Sequence, residues 1–200
     1  MNISNISTIA VIFPIFIFSI ISMAIIIEKF GFFSKNKINL SEYQSYFPNS
    51  LTALKEKCLQ TKNHIFNNTL VKLLSEHFNT KQELQEYIDS LITTIYIEYK
   101  HRLNYLSIFS KLSTLIGFFG TIIGMILSFN SIVEKGVSTA SIVAGGISTA
   151  LITTAVGLSV AIPTTFFYEY FQNKIELDFQ KMQIIVSEVL SYYNQTKRVS

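Results

Sequence analysis

Five hydroxyl side chains fall within one short stretch of the chain: Ser148, Thr149, Thr153, Thr154 and Ser159. They lie in GGISTALITTAVGLSVAIP, residues 145–163, which carries no charge. A lone Ser or Thr in an apolar helix usually returns its proton to the carbonyl four residues back. A cluster this dense on a close-packed face has two further uses: lining a polar path, or receiving a polar group from a partner. Helical spacing puts Gly146, Ala150, Thr154, Gly157 and Ala161 in one stripe of small residues, with Thr149 and Thr153 beside it, one turn apart. A second segment, GFFGTIIGMI, places Gly117, Gly120 and Gly124 at i, i+3 and i+7, with Thr121 next to them. Small residues on one face let helix backbones approach closely in lipid. Taken alone, the glycines read as helix packing.

Other chemistry is missing. The sequence has no P-loop, nucleophile elbow, metal-ligand cluster or carboxylate pair, so neither an enzyme nor a cofactor nor a bound metal is expected. His64, His77 and His101 have spacings that match no ligand pattern, and they read as solvated or packed histidines. Cys58 is the single cysteine, which rules out an intrachain disulfide and suits a reducing compartment.

The elements that must position these residues are helices in a membrane. The chain has 200 residues, 49% hydrophobic and 14% charged, with mean hydropathy +0.38. A soluble domain usually carries about 25% charged residues. No Lys, Arg, Asp or Glu occurs in 1–27, 112–133 or 136–168. The net charge of +3 forms no basic stripe with interleaved aromatics, so nucleic acid is not an expected partner.

Three spans follow. The first is Ile9–Ile27, about 28 Å of helix at 1.5 Å per residue, with Pro14 placed near its start, where a missing N–H costs least. A cleaved signal peptide is disfavoured, because residues 1–8 lack Lys and Arg and no small-residue cleavage site follows. The second span is 112–133 and the third 141–168, joined by a short turn over 134–140 that makes them an antiparallel hairpin. Lys and Arg are absent from 1–8, number eleven in 28–111, one in the turn and four in 169–200. By the positive-inside rule the N-terminal tail 1–8 is outside, and 28–111 and 169–200 are cytoplasmic. The expected fold is all-α: three transmembrane helices with long cytoplasmic helical extensions.

Within 28–111, residues 34–49 read as loop with some short helix, and Leu51–Lys62 and Thr69–Phe78 carry helical spacing. Thr80-Lys-Gln-Glu83 is a capping box. From there the positions Leu84, Tyr87, Ile88, Leu91, Ile95, Tyr99, Leu103 and Leu106 predict one helix from about 80 through the second span. After the third span the helix is expected to continue with Ile175, Leu177, Phe179, Met182, Ile185, Val186 and Val189 among its apolar positions.

GTIIGMILSF, GGISTALITTAVGLSVAIP and the earlier IIIEKF resemble the signatures of the MotA/TolQ/ExbB proton-channel family, most closely its ExbB/TolQ branch. The resemblance covers the three spans and is loose over 34–78. It implies a ring, typically a pentamer, around a dimer of a single-span ExbD/TolR/MotB-like partner that carries a membrane aspartate, with a TonB/TolA-like protein as a further partner. It implies an inner-membrane location and proton flow that energises envelope transport or maintenance. The family threonines that face the partner's aspartate correspond to Thr121 and Thr154; Thr149 and Thr153 are further path candidates. Gly117, Gly120, Gly124, Gly146, Gly157 and Pro163 are assigned to helix packing. Two positions depart from the ExbB pattern: Thr149 stands where Glu is frequent, and Thr114 where Pro is frequent. The alternatives are a sodium-driven or motility-type subunit, or a non-conducting membrane scaffold.

The residues and the resemblance meet at one point. No span contains a carboxylate, and a proton relay normally needs one. Alone, the chain is expected to carry protons poorly; hydroxyls and close packing for a partner's acid are what it offers.

Overall fold

The computed structural model describes residues 3–45, 51–60, 64–76, 78, 80–135 and 140–198. Every element among them is helical: α1 Ile3–Lys35, α2 Leu40–Gln44, α3 Leu51–Gln60, α4 Ile65–Ser75, α5 Lys81–Lys100, α6 Leu103–Lys135 and α7 Ala140–Arg198. Three helical stretches are long and apolar enough to cross a membrane. The chain divides into two compact units, Met1–Glu28 with Arg102–Tyr170, and Lys29–His101 with Phe171–Ser200.

The first unit is made from α1, α6 and the first half of α7. Large apolar side chains cover its surface, among them Phe13 and Phe16 on α1, Leu115 and Phe118 on α6, and Leu151 and Ile162 on α7. In water such a surface would aggregate; against lipid it costs nothing. Helices α1 and α6 run antiparallel. Phe18 stacks on Phe109 with ring centroids 5.0 Å apart, and Glu28 pairs with Arg102 at 2.9 Å. Pro14 lies well inside α1 rather than at its start, because the helix already begins at Ile3. Its missing N–H leaves the Ala10 carbonyl without the usual donor, which membrane helices tolerate.

The single helix expected from about residue 80 is two. It breaks at His101–Arg102, and Arg102 takes the left-handed conformation at φ 61°. That conformation costs a non-glycine residue roughly 1–2 kcal/mol. Leu103 and Leu106 stay buried beyond the break, so the apolar period continues through it and hides it from a sequence reading. The N-terminus of α5 shows the threonine half of the capping box: Thr80 Oγ1 accepts from the Glu83 N–H at 3.1 Å. Glu134 and Lys135, assigned to the turn between the second and third spans, complete α6 instead.

The second unit packs around Phe33, Tyr99 and Phe171. Phe33 and Phe171 stack at 5.6 Å, and Tyr99 meets Phe32 edge-on at 4.9 Å. A helix end leaves carbonyls without intrahelical donors. Past the end of α1, three consecutive carbonyls are met by side chains of three different segments. Tyr99 Oη donates to Asn36 at 3.3 Å, His64 Nε2 to Lys37 at 3.1 Å, and Lys181 Nζ to Ile38 at 3.5 Å. The residues after the first span are therefore not plain loop: α1 runs to Lys35, and its end is tied down. His64 is buried, and burial pushes its pKa below the usual imidazole value, so the ring is neutral at pH 7. His101 is exposed, and His77 lies outside the described residues. Burial likewise pushes the Cys58 thiol up to about 11, which makes it inert.

The second half of α7 buries Phe171, Ile175, Met182, Ile185, Val186 and Val189. Leu177, expected on that face, is exposed. The buried position between Ile175 and Met182 is taken by Asp178, 4% exposed, whose Oδ1 accepts from Lys181 at 3.1 Å. A carboxylate in step with an apolar row is assigned to the wrong face by any reading based on apolar period.

Candidate functional site

Small residues set the spacing of α6 and α7. A methyl group added at Gly117 would lie 3.1 Å from the Gly157 Cα. One added at Gly157 would lie 2.6 Å from the Ser113 carbonyl oxygen, and one at Gly124 would lie 2.9 Å from the Ala150 Cβ. Gly120 and Gly146 meet Thr153 and Ser128 in the same way, whereas Gly145 faces open space. Five glycines read from sequence as packing residues, Gly117, Gly120, Gly124, Gly146 and Gly157, thus sit in one seam. The sixth packing candidate, Pro163, lies on the exposed surface of α7.

Position around the helices separates the four threonines. At about 100° per residue, Gly120 lies about 60° to one side of Gly117 on α6, and Thr121 about 40° to the other. The Gly120 side faces α1, because a methyl there would lie 3.0 Å from Val11 Cγ1. A groove between α1 and α6 on this side is lined by Ala10, Val11, Pro14, Ile116, Phe119 and Ile123. Thr121 therefore lies on the flank of the hairpin away from α1. On α7, Thr153 sits against Gly120 at 2% exposure, inside the seam. Thr154 is the next residue, about 100° round and on the flank away from α1; Thr149 is on the α1 side.

Hydrogen bonds follow this division. The Thr154 hydroxyl crosses the seam and donates to the Gly117 carbonyl at 3.1 Å. Thr153 donates to Ala150 at 2.7 Å within its own helix, with the Gly117 oxygen 3.5 Å away. Thr121 donates to Phe118 at 2.6 Å, and Thr149 to Gly145 at 3.0 Å. Each hydroxyl has one proton and two lone pairs. With the proton given to a backbone carbonyl, each oxygen is left as an acceptor. Thr121 and Thr154 are brought together on one flank; Thr149 and Thr153 are not.

Two hydroxyls escaped the sequence reading. Ser110 donates across the seam to the Ala161 carbonyl at 3.0 Å and also makes a hydrogen bond with the Thr165 hydroxyl. A spacing signal was available. Ser110 stands eleven residues before Thr121, and Thr165 eleven after Thr154. Eleven residues is close to three full turns, so each pair shares a helix face.

Residues 58–184 match the model of a protein family described as the MotA/TolQ/ExbB proton channel family. No curated protein matches the chain. Among solved structures, that of C. jejuni MotAB is similar, with TM-score 0.66 and 16% identity over 96% of this chain and 78% of that one. At this identity the likeness is one of fold.

Proposed function

Since this chain belongs to the MotA/TolQ/ExbB proton channel family, we propose that it is the stator-like channel subunit of an ExbB/TolQ-type motor driven by the proton-motive force. It works with a single-span ExbD/TolR-like dimer whose membrane aspartate carries the proton, and a TonB/TolA-like protein passes the work on to envelope transport or maintenance. The subunit forms a homo-oligomeric ring, a pentamer, in the inner membrane, with its N-terminus periplasmic and its C-terminus cytoplasmic, as the Lys and Arg distribution favours.

One observation supports this reading most: Thr121 and Thr154 share the flank of a glycine-packed hairpin, with their protons engaged by backbone carbonyls. A protonated carboxylic acid is a donor and is matched by such acceptors. An ionised carboxylate is not, unless a hydroxyl swings away from its carbonyl. The flank therefore favours the neutral acid, the form in which a carboxyl can cross low-dielectric surroundings. The apolar runs 112–133 and 136–168 hold no acid of their own, so the proton carrier belongs to the partner. Each proton moved through 100 mV supplies about 2.3 kcal/mol.

The test is Thr154→Val, which keeps the side-chain shape and removes the hydroxyl. Energised activity is expected to fall at least about tenfold, the equivalent of one lost hydrogen bond, with ring assembly unchanged. Unchanged activity would leave the scaffold reading standing. Activity that survives a protonophore and requires sodium would favour a sodium-driven subunit, for which oxygen acceptors also suit the ion.

A further inference from the structure

We propose that Ser110 and Thr165 form a second hydroxyl station on the same ion path, about 16 Å along the hairpin from Thr121 and Thr154. This rests on the function proposed above and adds residues that the family resemblance does not assign.

The first argument is register. Hydrogen bonds pair Gly117 with Thr154 and Ser110 with Thr165 across two antiparallel helices. Moving eleven residues back along α6 from Thr121 reaches Ser110, and eleven forward along α7 from Thr154 reaches Thr165. Both moves preserve the helix face. The second pair is therefore the first, translated along the same flank. Thr114 stands between the levels, about 60° from Gly117 on the flank away from α1. It is exposed, and its hydroxyl donates to the Ser110 carbonyl at 3.2 Å.

The second argument is proton bookkeeping at the pair itself. Ser110 Oγ lies 3.0 Å from the Ala161 oxygen and Thr165 Oγ1 lies 2.9 Å from it, and the two hydroxyls also contact each other. Two protons are shared among three oxygens. Thr165 can give its proton to Ala161, to Ser110 or to a water outside; in each case Ser110 keeps an acceptor, either Ala161 or Thr165. Thr165 can thus accept from a hydrated proton on one side and donate to water afterwards, with no buried group left unpaired. Thr165 is exposed and Ser110 is buried, so Thr165 is the contact and Ser110 its support. The station solvates the ion; no covalent bond forms or breaks. A hydroxyl serving only its own helix would bond the carbonyl four residues back and nothing else; Ser110 instead bonds across the seam.

The experiment uses the complex purified from native membranes through a tag on this chain, reconstituted in vesicles under a potassium-diffusion potential, with proton flux read by an internal pH dye. Native mass confirms the ring for each variant. Thr165→Val and Ser110→Ala are expected to lower flux at least about fivefold, roughly one weak hydrogen bond, while Thr165→Ser stays within about twofold of the parent. Flux would then follow the hydroxyl rather than side-chain volume. Parent-level flux in Thr165→Val, with Thr154→Val inactive, would overturn the station and leave the proposed function in place. Equal loss in Thr165→Ser and Thr165→Val would overturn it too, since packing alone would explain both. Parent-level flux in Thr154→Val would instead count against the channel reading on which the station rests.

Discussion

The hydroxyl of Thr154 donates to the backbone carbonyl of Gly117, 3.1 Å away on the neighbouring helix. In a regular α-helix the same carbonyl accepts the N–H of Thr121. One oxygen thus links the two threonines of the outward flank. The link depends on the absence of side chains at Gly117 and Gly157, which bring the backbones close enough for a short side chain to span the seam.

That closeness can be measured. Gly157→Ala would place a methyl 2.6 Å from the Ser113 oxygen and 2.9 Å from the Gly117 Cα, both backbone atoms. Better helix propensity offers at most about 1 kcal/mol, against about 1–3 kcal/mol for overpacking. Thermal unfolding in detergent is expected to show net destabilisation. Gly145→Ala, which meets nothing within 4 Å, is expected to stabilise by about 1 kcal/mol.

The left-handed Arg102 gives a second prediction. Arg102→Gly removes the steric cost of φ 61° and loses an exposed ion pair to Glu28. The relief is about 1–2 kcal/mol and an exposed pair contributes about 0–1. The variant is expected to unfold at the same temperature or higher, whereas Arg102→Val, β-branched at a left-handed position, unfolds earlier.

A third concerns pH. Burial lowers the His64 pKa from its ordinary 6.5. The unfolded chain therefore takes up a proton at a higher pH than the folded one. The resulting stability is fully present above 6.5 and is lost as pH falls through the folded pKa. The charged group acting on the ring is Asp178 of α7, itself paired with Lys181, and Lys37 offers the ring a carbonyl. Chemical denaturation between pH 8 and 5 is expected to show stability constant above pH 6.5 and falling below it. His64→Gln, which keeps a donor for the Lys37 carbonyl, flattens the curve.

Asp178 supplies the fourth. One carboxylate oxygen is held by Lys181, and the other is buried with no hydrogen-bond partner among the described residues. Lys181 is partly exposed and can be solvated without its partner. Asp178→Leu, filling a row of Ile175 and Met182 with a like side chain, is expected to stabilise by about 1–3 kcal/mol, the cost of a buried acceptor left without a hydrogen bond. A lower unfolding temperature in this variant would mean that the carboxylate contributes more than its contacts indicate.

Much of this protein was legible in one dimension. Charge-free runs mark helices whose backbone groups are satisfied internally and whose side chains suit lipid. The Thr80–Glu83 cap and the glycine stripe of α6 depend on spacings of a few residues, which a sequence displays directly. Three features were not legible, each for its own reason. The break at His101–Arg102 keeps the apolar period intact on both sides. Asp178 is buried because its position on α7 is fixed by the apolar residues around it, whatever its own preference. The six-residue difference between Leu177 exposed and Phe171 buried is likewise decided by the face α7 turns to its neighbours.

The sequence by itself determined that α6 and α7 are apolar helices bearing small residues and hydroxyls, because composition and the 3.6-residue turn suffice for that. Only the tertiary structure decided which of two adjacent threonines, Thr153 or Thr154, enters the seam and which reaches the outward flank. Neighbours on a helix point about 100° apart, and which direction is inside depends on where α1 and α6 lie.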